Sequence, residues 1–213
     1  MGDEMVSMNT TTQPTAPSTP DADADPRPLL AAVLDQTERL ILGTDPADLA
    51  RPTPCGDWAV AALQGHVLAV VERLRLSALH LPLDDAPRLI ETDDWSSAWA
   101  AARAGAEVAL ADDRCLVGEI VRPFGTVPAT EGLLSYVSEL ATHGWDVAVA
   151  TGRADQLDPA LAVAGLACAQ RNIPAQIRHL EGVPFDAVVE IDDEADAYAR
   201  LVAWNGRNPA WNA

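Results

Sequence analysis

The stretch Ser138-Glu139-Leu140-Ala141-Thr142-His143-Gly144-Trp145-Asp146 lies in a segment, about Ala129 to Thr151, that reads as one long helix stopping near Gly152. At 3.6 residues per turn, the four-residue spacing puts Glu139 and His143 on the same face. A carboxylate and an imidazole are costly to bury on an otherwise apolar helix, so this face must meet either solvent or polar partners. A solvated Glu–His pair satisfies the first case. The second is what a three-residue metal site asks of one of its helices, and it needs a third donor from elsewhere.

The rest of the chain supplies the facing helices. Pro28 to Leu42 carries Leu29, Leu30, Val33, Leu34, Leu40 and Ile41 at helical spacing, with proline in the first turn. Asp45 to Leu49 makes one further turn, and Arg51 to Gly56 reads as a stiff, extended loop. Asp57 is the expected N-cap of a long second helix carrying Trp58, Val60, Leu63, His66, Val67, Val70, Val71 and Leu74. A third helix is expected from about Asp94 to Leu110, anchored by Trp95 and Trp99. Between Arg114 and Ala129 the alternation around Cys115 to Val121 predicts a short β excursion. Asp158-Pro159 opens a fifth helix, an extended segment covers about Val183 to Ile191, and Glu194 to Asn205 forms the last helix. Residues 1–27, rich in Thr, Pro, Ser and Asp, have almost nothing to bury and are expected to be disordered, leaving 28–213 as one domain. The expected architecture is an all-α, up-and-down four-helix bundle with a small β excursion and extra C-terminal helices.

Composition narrows the function classes. The chain has 32 acidic and 14 basic residues, a net charge of −18, and every basic residue is arginine. That balance disfavours nucleic acid and anionic membranes as partners, and the absence of lysine removes Schiff-base chemistry. No apolar run reaches membrane-spanning length and no signal peptide is evident. Cys55, Cys115 and Cys168 are odd in number and far apart, as expected of a cytoplasmic protein without a disulfide framework.

His66 complements Glu139 and His143, because it sits on a mostly apolar stripe of the second helix; a satisfied core histidine is the competing reading. His80 and His179 are weaker candidates. Two histidines and one glutamate on facing helices match a catalytic zinc shell with one position left for water or substrate. The donor set equally suits Ni, Co, Fe or Mn. Asp146 could orient a ligand imidazole or be a surface carboxylate, and Tyr136 could donate a proton or pack in the core.

Three blocks carry a resemblance. Arg51-Pro52-Thr53-Pro54-Cys55-Gly56-Asp57-Trp58 with Leu63 and His66 resembles the "TPCxDW…H" signature of the mycothiol-dependent maleylpyruvate isomerase N-terminal family, which belongs to the DinB-like metal-binding bundles of actinobacteria. Glu139 to Asp146 with Ala150-Thr151-Gly152 resembles its "ExxxHxWD…ATG" segment. Tyr198 to Trp211 is similar to the "RLLAxxGRDPxW" ending of its stand-alone members. Gly56 stands where relatives often have proline, and Asn208 where they often have aspartate. The resemblance implies a DinB-like bundle in which His66, Glu139 and His143 bind one divalent metal, usually Zn2+, and makes Cys55 a structural loop residue. It further implies a metal-dependent thiol transferase or isomerase-type enzyme, with mycothiol or a similar thiol as co-substrate, an electrophile as second substrate, and a monomeric or dimeric state. The isomerase itself has a second, C-terminal domain, and this sequence ends after the bundle. The alternative is a metal-binding bundle without thiol chemistry, either a hydrolase or a non-catalytic binding module.

Overall fold

The computed structural model describes residues 24–122, 125–178 and 186–212. Most of the expected disordered tail, His179 and the start of the expected extended segment lie outside these residues. Among the described residues, six α-helices and one two-stranded hairpin form the fold: α1 (Arg27–Leu42), α2 (Val60–Ala78), α3 (Trp95–Leu110), β1 (Glu119–Arg122), β2 (Gly125–Pro128), α4 (Ala129–Ala150), α5 (Pro159–Asn172) and α6 (Ala197–Trp204). The all-α bundle with a β excursion and extra C-terminal helices is the observed architecture. None of the described helices is long and apolar enough to cross a membrane.

The helix starts follow from local chemistry in most cases. The carboxylates of Asp94, Asp158 and Asp196 accept backbone N–H groups of the first turns of α3, α5 and α6. The last helix therefore begins at Ala197, three residues later than expected. Asp57 does not cap α2. That helix begins at Val60, where the Val60 and Ala61 N–H groups donate to the carbonyls of Arg51 and Leu49. Backbone from the preceding loop satisfies the orphan donors, and Asp57 is left exposed. The β excursion is also shifted. Cys115 and Leu116 lie in a 3-10 turn (Asp113–Leu116), and the antiparallel pair runs from Glu119 opposite Pro128 to Arg122 opposite Gly125.

Four helices surround the main core, with α1 packed on α4 and α3, and α2 packed on α3 and α4. Helix α5 covers the remaining side of α4, and α6 packs on α5 and α4. Helix α4 is therefore enclosed by α1, α2, α5 and α6, which accounts for its being apolar nearly all round rather than along one stripe. Leu133, Leu134, Val137, Leu140 and Ala141 of α4 meet Leu30, Val33 and Leu34 of α1 and Val67, Val70, Val71 and Leu74 of α2 in one cluster with Trp99 of α3. Tyr136 packs in this core and its hydroxyl is 2.8 Å from Ser77 Oγ.

Candidate metal centre

Glu139 is one of the few α4 residues that are not buried, and it faces α2 beside His66. One donor atom from each of His66, Glu139 and His143 lies within 4.8 Å of the others. The imidazoles of His66 and His143 meet edge to face, with ring centroids 5.0 Å apart.

Each donor is held from behind. His66 Nδ1–H donates to the Arg88 carbonyl at 2.9 Å, and His143 Nδ1–H donates to Asp146 Oδ2 at 3.1 Å. With Nδ1 engaged, Nε2 is the nitrogen each ring can offer to a ligand, and a histidine ligand characteristically has its other ring nitrogen anchored in this way. Asp146 is fully buried rather than on the surface, and Arg207 donates to both its oxygens at 3.3 Å. Glu139 Oε1 lies 3.6 Å from Arg73 Nη2, and Arg73 Nη1 donates to the Pro87 carbonyl at 3.3 Å.

A loop straps this end of α2. The Ile90 N–H donates to the Gly65 carbonyl at 3.0 Å, and the Arg88 guanidinium lies over the Trp58 ring, 5.5 Å from its centroid. Trp58 in turn meets the His66 ring edge to face at 4.6 Å. Only glycine fits at position 65, because a Cβ there would come within 2.5 Å of the Ile90 carbonyl oxygen. Gly56 takes a φ of +61°, which proline cannot adopt.

The two rings differ in proton affinity. Burial, and then the charge on His143, push His66 down to about 4. Burial also opposes charge on His143, but hydrogen bonds to Asp146 and Cys55 outweigh it and hold this ring up to about 9.

Cys55 is the residue that sequence reasoning misplaced. Its Sγ, a His143 ring nitrogen and an Asp146 oxygen also lie within 4.8 Å of one another, so the thiol is at the site and not merely in a loop. Arg73, Arg88 and Arg207 went unrecognised as well. They give the site basic neighbours in a chain of net charge −18. His80 sits elsewhere, its ring against the carbonyls of Arg114 and Glu119. Grooves of about 460 Å³ between α5 and α6 and about 300 Å³ between α2 and α3 are lined by other residues.

Two uncharacterized proteins of Mycobacterium tuberculosis, Rv0738 of strain ATCC 25618 / H37Rv and MT0763 of strain CDC 1551 / Oshkosh, are each 32% identical to the chain over 159 residues, covering 75% of it and 85% of themselves. The chain belongs to their family. No family model matches it. Among solved structures, the mycothiol-dependent maleylpyruvate isomerase is similar over 65% of each chain, with 17% identity and a TM-score of 0.44.

The donors present fit a divalent transition metal. Two imidazoles and a carboxylate are a known set for zinc with an open position, both imidazoles are oriented by a second hydrogen bond, and Arg73 balances the carboxylate. The cluster can hold a metal among His, Cys, Glu and Asp donors.

Proposed function

We propose that His66, Glu139 and His143 hold one divalent cation, most simply Zn2+, and that the protein is a metal-dependent thiol transferase or isomerase-type enzyme using a small thiol such as mycothiol. The observation that carries the reading is the convergence of these three donors within 4.8 Å, both rings being anchored through Nδ1. A cation bound there supplies Lewis acidity and favours the thiolate form of a thiol at its open position. The Arg88 carbonyl keeps the His66 ring turned inward, and Asp146 does the same for His143. Arg73 steadies Glu139, and Trp58 packs edge to face on the His66 ring. Thiol use rests on the sequence resemblance.

The test is to load the purified protein with Zn2+ and follow mycothiol consumption with monobromobimane and an epoxide panel. Metal-dependent conjugation is expected. Metal binding without thiol binding by calorimetry would favour the hydrolase or non-catalytic reading.

A further inference from the structure

His143 belongs to two donor sets. On one side stand His66 and Glu139; on the other stand Cys55 and Asp146, again within 4.8 Å. The second set contains a thiol, the softest donor at the site, and soft donors draw Zn2+ and Co2+ strongly. It is already served by a cation. Arg207 Nη2 lies 3.1 Å from Cys55 Sγ and 3.3 Å from Asp146 Oδ2, Nε lies 3.3 Å from Asp146 Oδ1, and Nη1 donates to the Asn205 carbonyl at 3.3 Å. The backbone fixes this placement: the Arg207 N–H donates to the Val202 carbonyl at 2.8 Å, just past the end of α6.

We infer that Arg207 is an internal cation that fills the Cys55–His143–Asp146 set and so keeps a metal ion on the His66–Glu139 side of His143. The inference rests on the metal reading above. A planar guanidinium suits a carboxylate and a second acceptor at once, which a spherical ion bound elsewhere could not replace. Asp146 has no exposure, so its charge needs a permanent partner whether or not metal is present. A metal ion entering this set would have to expel Arg207 and convert the Cys55 thiol to thiolate, releasing that proton to solvent. Arg207 is thus a positioning residue, acting through Asp146 and Cys55 on the choice between two donor sets.

Cobalt reads the choice directly, because a thiolate ligand adds a near-ultraviolet charge-transfer band that imidazole and carboxylate ligands do not. The full chain is titrated with Co2+. The wild type is expected to bind Co2+ without the thiolate band. Arg207→Gln and Arg207→Ala should gain it, Cys55→Ser in either background should lose it again, and Arg207→Lys, which keeps a cation, should resemble the wild type. Arg207→Gln retains a side-chain donor and serves if Arg207→Ala does not fold. A thiolate band in the wild type, or Co2+ bound by Arg207→Gln without one, overturns the inference while leaving a metal site standing. No Co2+ binding by the wild type overturns the metal reading and the inference together.

Discussion

Raising the pH from about 6 to about 8 should tighten Zn2+ binding about a hundredfold, and one residue, His143, should account for it. Burial disfavours a charge on this ring, but its hydrogen bonds to Asp146 and Cys55 outweigh that and hold it up to about 9. Ligation through Nε2 requires the neutral ring, so a proton must leave. Each pH unit below the pKa costs about 1.4 kcal/mol, or tenfold in affinity, which makes the cost about 3 kcal/mol at pH 7. His66 adds nothing to this slope, because burial and the charge on His143 push it down to about 4. Two ordinary histidines with pKa values of about 6.5 would instead give a steep slope below that pH and none above about 7.5. Chelator competition across this range measures the slope, and NMR of the metal-free protein follows each imidazole. The same shift sets a sign for stability. A raised folded-state pKa contributes fully below the unfolded value of about 6.5 and is lost as the pH climbs through about 9, so the metal-free protein should lose up to about 3 kcal/mol over that window in denaturant titrations. An affinity that levels off above pH 7, or a His143 ring titrating near 6.5, would refute the reasoning.

Asp146→Asn keeps the shape but removes the buried charge facing His143 and Arg207; stability should fall by about 3–5 kcal/mol, read by denaturant unfolding, and the His143 ring should titrate at lower pH, read by NMR. Gly65→Ala places a Cβ against the Ile90 carbonyl, so it should cost about 1–3 kcal/mol and weaken zinc binding by freeing His66 from Arg88. Gly105→Ala, whose Cβ would meet only the flexible Arg75 side chain, should be neutral or stabilising by up to about 1 kcal/mol in the same assays. Trp99→Ala empties a fully buried position in the main core and should cost about 3–5 kcal/mol with the m-value unchanged.

What could be read from the sequence was what local chemistry decides. Asp94 and Asp158 precede their helices and cap them, and the i,i+4 spacing of Glu139 and His143 survives because both lie on one regular helix. Asp57 looked like the same kind of cap, but the carbonyls of Arg51 and Leu49 reach the first turn of α2 before its side chain does. The rest of the site depends on contacts far apart in the chain. Arg207 reaches Cys55 across 152 residues and Asp146 across 61, and neither spacing carries a local pattern. The Arg88 carbonyl that anchors His66 belongs to a backbone group, which leaves no trace in residue identity.

Elemental analysis of metal bound to the wild type, His66→Ala, Glu139→Gln and His143→Ala, each equilibrated with Zn2+ and dialysed, tests the metal centre most directly. About one equivalent on the wild type and a small fraction of that on the three variants is the expected result. Equal metal on the wild type and His143→Ala would contradict it.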